Sequence, residues 1–519
     1  MSSDTSTTRL AFKKETSFGT LAAGAQLRRL RFTGETLSHK KETVQSNEIT
    51  DDRQVQDLVK VNAMADGAIN FELSILEYLE LILGALGQSD WTTISETLSG
   101  SQIDGQEIAG TIPANLRNIT GYIRVSGALN PANNGIKRVL SSDSSGITCA
   151  TGSFVADETV DLTIERVYAA NGVALNHWTF ERGVLMDDGE SRAYQHYKGM
   201  TVATMALNIA SKEIITGNFG FQGQVGGYKN RSLQRANEVA ATGTLTLVGN
   251  VTAGQTVTIG VGTGQKVYTF QNTINGGSSA NQVKVGATAS ESLDNLIAAI
   301  NAGTGSGTLY GPPTTAHTQV TAAAGAGDTM VLTAKLDNQT GSFGNTIATT
   351  ETLTNGSFGA ATLTGGVDAD EVSAATVGDV LNGTNNVTTI ASGESSLSDP
   401  AKSFSFTINN NLRPKDKIGL EGAFEMGQGQ FNVTGNLNTY FEDNSLFEKI
   451  VDHDDVALSI LLNDTAGNYL GITFPRVKLA TGNPNTNANN SDVMMSIDWT
   501  AIKDATTGKT MFVDVFQAA

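Results

Sequence analysis

The feature that most restricts what this chain can fold into is a strand-then-helix pattern that occurs twice. In the stretch Gly429 to Val451, Phe431, Val433 and Leu437 lie on one side of a period-2 alternation and Asn432, Thr434, Asn436 and Asn438 on the other, as in a strand buried on one face. Tyr440 and Phe441 close it. Glu442, Asp443, Asn444 and Ser445 then offer capping side chains ahead of Leu446, Phe447, Ile450 and Val451, whose spacing is helical. Near the other end, Ile69, Phe71 and Leu73 alternate with Asn70, Glu72 and Ser74 before Ile75, Leu76, Leu79, Ile82 and Leu83 read as a helix. Two further matches follow in the same order. Thr179-Phe180-Glu181-Arg182 is echoed by Thr473-Phe474-Pro475-Arg476, and the strand pair within Met200 to Phe221 by that within Asp492 to Phe516. Ordered matches of this kind indicate an internal duplication.

At 519 residues the chain has room for two to four domains. Only 17% of residues are charged, against roughly 25% in an average globular protein, while 56 are Gly and Ser, Thr and Asn abound, which favours strands and turns over solvated helices. The net charge of -18 argues against general nucleic-acid binding, which needs a stripe of Lys and Arg. Arg28, Arg29, Arg31, Lys40 and Lys41 are diluted by Glu35, Glu42 and Glu48 and read as a solvated or inter-subunit surface. Cys149 stands alone, so neither a disulfide framework nor a thiolate zinc site is expected. Met1 to Thr8 lacks an apolar signal core, and the most apolar run, Leu73 to Leu86, is broken by Glu77 and Glu80; we expect no signal peptide and no membrane insertion.

The expected organisation is mainly β with a few short helices: two tandem β-sandwich units and a small inserted α+β module. Residues 1–29 read as an N-terminal arm ordered only by a partner, 30–239 as the first unit, 240–370 as the inserted outer domain, 371–399 as a linker and 400–519 as the second unit. In the first unit, Leu30 to Leu37 alternates as a strand, and Ser38 to Lys60 reads as a long polar loop projecting toward another subunit. Val160 to Val167 is expected to turn at Asn171-Gly172 and return through Trp178 and Phe180 as a hairpin. No arginine occurs between Arg235 and Arg413, and the composition shift to Gly, Thr, Ala and Asn marks the inserted domain. Its strands are expected at Thr244 to Val248, Thr256 to Gly260, Lys266 to Phe270, Gln282 to Val285 and Thr329 to Ala334, with a helix at Ser290 to Ile300.

Catalytic chemistry is not indicated. The histidines His39, His177, His196, His317 and His453 are scattered, and Asp452-His453-Asp454-Asp455 follows a helix as a solvated terminus. Gly260 to Gly264 lacks the Lys-Ser/Thr pair of a phosphate loop and reads as a turn. No Gly-x-Ser-x-Gly elbow with plausible partners is present. The reading is therefore no enzyme, no cofactor and no metal.

Leu30-Arg31-Phe32-Thr33-Gly34-Glu35-Thr36-Leu37, Ser46-Asn47-Glu48-Ile49 with Asp52-Arg53-Gln54-Val55, and Gly67 to Leu73 resemble the N-terminal half of tail tube proteins of long, non-contractile-tailed bacteriophages, the siphophages. Asn409 to Arg413, Thr439 to Asp443 and Phe474 to Lys478 resemble the same family, so that the resemblance covers roughly residues 9–230 and 400–519. It implies two tail-tube-like units whose subunits form rings that stack into a hollow tube, with strands lining a continuous inner β-barrel through which the genome passes. On that basis Asn70, Glu72, Ser74, Ser405, Thr407, Asn432, Thr434, Asn436, Ser496 and Asp498 are expected to face the lumen, and Asn47, Glu48, Asp51, Asp52 and Arg53 to form the contact between rings.

The resemblance also implies a trimeric, pseudo-sixfold ring, with a hexamer as the alternative. The expected partners are further copies of the chain, the tape-measure protein and DNA transiently in the lumen, and tail-tip and tail-terminator proteins at the ends, in a virion tail assembled in the host cytoplasm. The competing readings are a secreted or surface-exposed β-rich adhesin and another virion protein, a head decoration or tail terminator. A glycan-cleaving enzyme would call for aromatic sugar platforms, and Trp is only 3.

Overall fold

The structure is a computed structural model that describes residues 5–22, 24–49, 51, 54–186, 192–229, 232–234, 238–335, 344–367, 372–393, 395–397, 400–486 and 491–518. It is mainly β, with short helices at Leu79–Leu86, Ala289–Asn301 and Ser445–Val451. One antiparallel sheet runs through both units. Its strands, in spatial order, are Ser38–Gln45, Leu58–Glu72, Thr216–Gly223, Arg192–Ala210, Ala401–Asn409, Asn432–Tyr440, Met494–Ala501 and the C-terminal part of Tyr469–Thr481. The seam between the units is the pairing of Thr204 with Asn409 through Ala210 with Ser403. Across it, the Asn410 side chain donates to the carbonyls of Ala85 and Val202, each at 3.0 Å.

The alternation seen in the sequence explains the layers. Ile69, Phe71, Phe219, Met205, Leu207, Phe404, Phe406, Ile408, Val433, Leu437, Ile497 and Trp499 point to one side and are buried in a single core shared by both units. Phe71 stacks on Phe219 at 4.8 Å between ring centroids, and Phe404 on Trp499 at 5.6 Å. Each such side chain contributes about 1.5–3 kcal/mol by leaving water. The core is closed from behind by two outer sheets. In the first unit these strands are Arg9–Lys14, Trp178–Leu185, the N-terminal part of Arg192–Ala210 and Val225–Lys229. In the second they are Val387–Ser392, Asp455–Asn463, the N-terminal part of Tyr469–Thr481 and Phe512–Phe516.

The duplication is therefore real but set differently from the sequence matches. Arg192–Ala210 and Tyr469–Thr481 are the equivalent bent strands, each passing from the outer sheet into the shared one. They carry register shifts at equivalent places: between Trp178 and Phe180 and between Val456 and Leu458 on their outer partners, then between Val202 and Thr204 and between Leu479 and Thr481 along their own length. Thr179 and Thr473, despite the similar residues around them, sit on non-equivalent strands. Likewise Met494–Ala501 and Phe512–Phe516 do not pair with each other, as Arg192–Ala210 and Thr216–Gly223 do; both pair with Tyr469–Thr481.

Other expectations are corrected. The N-terminal arm is built into the fold: Arg9–Lys14 pairs with Trp178–Gly183, and Leu10, Ala11 and Phe12 are buried. Only Gly34–Glu35 of Leu30 to Leu37 is strand, opposite Asn70 and Ile69. The polar loop at 38–60 begins as Ser38–Gln45, forming a two-stranded ribbon with Leu58–Asp66. The linker contributes Val387–Ser392 to the second unit. The hairpin at 160–180 is absent, because Asn171-Gly172 is used elsewhere. The Gly172 N–H donates to Leu86 O and Ala174 N–H to Gly87 O at the C-terminus of helix Leu79–Leu86, while Asn171 Oδ1 accepts from the Thr510 N–H at 2.7 Å. Glu158–Ala170 pairs instead with Thr92–Asp104 and Gly121–Ser126, in a module of its own whose core includes Ile103, Ile108, Ile123, Val139, Leu162 and Ile164.

The inserted region matches its expected strands closely, at Thr242–Leu247, Thr256–Ile259, Lys266–Gln271, Gln282–Lys284 and Thr329–Ala334. Thr288 caps its helix by accepting from the Glu291 N–H. Its core is separate from that of the two units.

Candidate functional site: the polar face of the shared sheet

Because side chains alternate across a strand, burying one row of each strand leaves the opposite row on the other face. Register carries these rows across the seam. One runs Glu72, Thr216, Asn208, Ser405, Asn436, Asp498, Thr481, and the next Asn70, Asn218, Ala206, Thr407, Thr434, Thr500, Lys478. Of the predicted residues, Asn70, Thr407, Asn432, Thr434, Ser496 and Asp498 are exposed, and Glu72, Ser405 and Asn436 half-buried. Ser74 does not belong here. The strand ends at Glu72, the chain turns inward, and Ser74 is 1% exposed, facing Gly378.

Sequence reasoning found Asn70 and Glu72 of the first unit but missed the rest of its share of this face, Thr204, Asn208, Thr216, Asn218 and Gln222. Their signal is in the sequence, since Met205, Leu207 and Ile209 alternate as an apolar row and the intervening residues are the complementary one.

The face is neutral to acidic. Asn436 Nδ2 donates to Ser496 Oγ at 2.9 Å and Asp498 Oδ1 at 2.8 Å, and Thr481 Oγ1 donates to Asp498 Oδ2 at 2.8 Å. These bonds hold the Asp498 carboxyl below the usual carboxylate range, Asn436 contributing most. Lys40 and Lys478 also lie on this face, each paired with a carboxylate, Asp66 and Asp455 respectively. Lys478, with Arg476, likewise holds Asp455 below the ordinary range, so Asp455 serves as an ion-pair partner at the start of the strand Asp455–Asn463.

Asn47, Glu48 and Asp51, at the far end of the ribbon, are exposed; Asp52 and Arg53 lie outside the described residues. The ribbon also exposes Val44, Ile49, Val55 and Leu58. Its counterpart in the second unit, the hairpin Arg413–Lys415 with Glu425–Gly427, exposes Ile418 and Leu420. The two lie side by side, joined by the Lys60–Glu421 ion pair and by the Gly422 N–H to Asn62 Oδ1.

Among the described residues no group of His, Cys, Asp and Glu is placed to hold a metal ion, and no helix is long and apolar enough to cross a membrane. No curated protein matches the chain. The sequence does match a family model, that of the phage tail tube protein, over residues 5–343 and again over 293–501, as a duplicated fold would. With two such matches and a sheet built from equivalent strands, the chain belongs to the phage tail tube protein family, the structural proteins of the virion tail.

Proposed function

We propose that copies of this chain close into rings that stack as the hollow tail tube of a siphophage, with the polar face lining the channel through which DNA is delivered. The observation that carries this reading is the shared sheet: it crosses both units without a break and is apolar on one side only. A flat sheet with open edges is a liability for a lone molecule, and closing it into a ring removes those edges. DNA carries one negative charge per about 1.7 Å of axis. A neutral-to-acidic wall on which Lys40 and Lys478 are each paired with a carboxylate gives it little to stick to.

Two units per chain make three chains per ring the preferred stoichiometry, with pseudo-sixfold symmetry. The inserted domain points outward. The ribbon tip, with Asn47, Glu48, Asp51, Asp52 and Arg53, contacts the adjacent ring together with the second unit's hairpin, the exposed apolar side chains of both being covered there. The tape-measure protein occupies the channel before DNA does, and tail-tip and terminator proteins cap the ends, assembly taking place in the host cytoplasm.

Electron microscopy of the purified protein at rising concentration, with rotational averaging of end-on views, tests this. Hollow tubes with three outer lobes per ring support it. Six lobes keep the tube but refute the trimer. A protein that stays monomeric even with tape-measure and tail-tip partners would favour the adhesin reading instead.

A further inference from the structure

The 92–170 module is threaded through the first unit but lies on the second, and it is held there unevenly. Its two ends meet near the second unit: Gln88 Nε2 donates to Ala170 O at 2.8 Å, and Lys509 Nζ to Asn171 O at 3.0 Å. Beside them Tyr168, Ala169 and Ala170 pair with Asp514, Val513 and Phe512. The buried Arg166–Asp514 ion pair lies on the same line, and Asp514 Oδ2 also accepts the Tyr122 N–H at 3.0 Å. This edge is an anchor of backbone and charge.

The strand Gly135–Ser142 lies two strands away, beyond Gly121–Ser126. There Arg138 Nη1 donates to Gly393 O at 2.6 Å, and two clefts, of about 270 and 260 Å³, open against Arg138. The second unit offers mainly small side chains to the larger cleft, among them Ala457, Ser459 and Thr473. Ser459 and Thr473 are cross-strand neighbours, 4% and 3% exposed, and Thr473 Oγ1 has no hydrogen-bond partner among the described residues. A buried hydroxyl without a partner favours any state that hydrates it. Among the described residues, the apolar cluster at this interface has three buried members, Tyr122, Leu461 and Phe516. The module has a core of its own, and none of the described residues 92–168 belongs to the core that the two units share, so it can move as a body.

We infer that this module is a hinged flap, fixed along Arg166–Ala170 and swinging at its Arg138 edge to uncover Ser459 and Thr473 while the shared sheet stays intact. The swing breaks the Arg138–Gly393 hydrogen bond and returns to water a guanidinium whose charge burial disfavours, together with the Thr473 hydroxyl. It takes place within one chain and does not rest on the ring reading.

Thiol labelling of the full chain carrying Ser459→Cys tests this, with the native Cys149, buried in the module's own core, as internal reference. The reagent is a maleimide attached to polyethylene glycol, too bulky for either cleft. A swing is expected to label position 459 at least about tenfold faster than Cys149, whose exposure requires the module to unfold. Adding Thr473→Val removes the unpartnered hydroxyl from the docked state and is expected to slow labelling at 459 by roughly fivefold or more. Equal rates at position 459 and Cys149 overturn the flap, because unfolding alone then exposes both. Labelling at 459 by a small maleimide but not by the bulky one overturns it too, since the reagent then enters a static cleft. An unchanged or faster rate with Thr473→Val shows the hydroxyl to be satisfied in the docked state and overturns the loosely held edge on which the swing depends.

Discussion

The sharpest energetic test lies where the 92–170 module meets the second unit. Arg166 and Asp514 are both fully buried; Arg166 Nε donates to Asp514 Oδ1 at 2.7 Å and its Nη2 to Thr120 O at 2.7 Å. The guanidinium lies 4.3 Å from the ring centre of Tyr168 and 5.3 Å from that of Phe512, and Asp514 Oδ2 accepts the Tyr122 N–H at 3.0 Å. Asp514→Ala would strand a guanidinium in the interior and orphan the Tyr122 N–H. Breaking a buried pair from one side costs about 3–5 kcal/mol, and the orphaned amide overlaps with that figure because both share the lost carboxylate. Opening of the docked strands should therefore speed up by roughly two to four orders of magnitude. Hydrogen-exchange mass spectrometry of Gly121–Ser126 and Phe512–Phe516 reads this directly. The paired replacement Arg166→Met with Asp514→Leu removes both charges and should recover most of the loss. An increase below about tenfold for Asp514→Ala, or a double variant as unstable as the single, would refute the idea that a desolvated charge holds this junction.

Three further outcomes are expected. A Cβ on Gly435 would sit 2.2 Å from the Trp499 ring and 2.4 Å from the Ser405 carbonyl, so Gly435→Ala should cost about 1–3 kcal/mol by urea unfolding, while Gly276→Ala, with nothing within 4 Å, should stay within about 0.5 kcal/mol of the parent. Burial, with Lys198 and Lys229 adding to it, pushes the His196 imidazole down to about 4. The unfolded chain then takes up the proton first, so His196 contributes stability that is complete above about 6.5 and lost as pH falls toward 4; a ring titration by NMR with a midpoint above 6 would contradict this. Thr434→Lys with Asn436→Lys should leave tubes intact by microscopy yet slow genome ejection, and unchanged ejection at low salt would count against the channel assignment.

What could be read from the sequence was local. The inserted domain's strands and helix fell out of alternation and capping, since each is bounded by Gly, Thr and Asn turns that serve no other purpose. Asn432 to Asn438 was legible as one polar row for the same reason. The Asn171-Gly172 turn misled because its backbone is spent on the end of a helix reached only through tertiary contact. The N-terminal arm misled because Leu10-Ala11-Phe12 is too short an apolar run, beside Lys13 and Lys14, to announce a buried strand. The seam could not be read at all: nothing local in Thr204 to Ala210 or Ser403 to Asn409 names the other as its neighbour. The offset of the repeat is hidden for a related reason: the residues around Thr179 and Thr473 resemble each other, while the register that makes Arg192–Ala210 equivalent to Tyr469–Thr481 exists only in the pairing.

At the base of the inserted domain, Val239 and Val367 exchange backbone hydrogen bonds with each other and Thr242 does so with Thr364. Its ends are thus held together independently of the seam, and among the described residues its core shares no buried side chain with the body. A domain attached in this way is a cassette. It is expected to accept replacement by a reporter or a binding domain of similar end spacing without disturbing the shared sheet, and in the proposed tube the fused copies would be displayed at regular intervals.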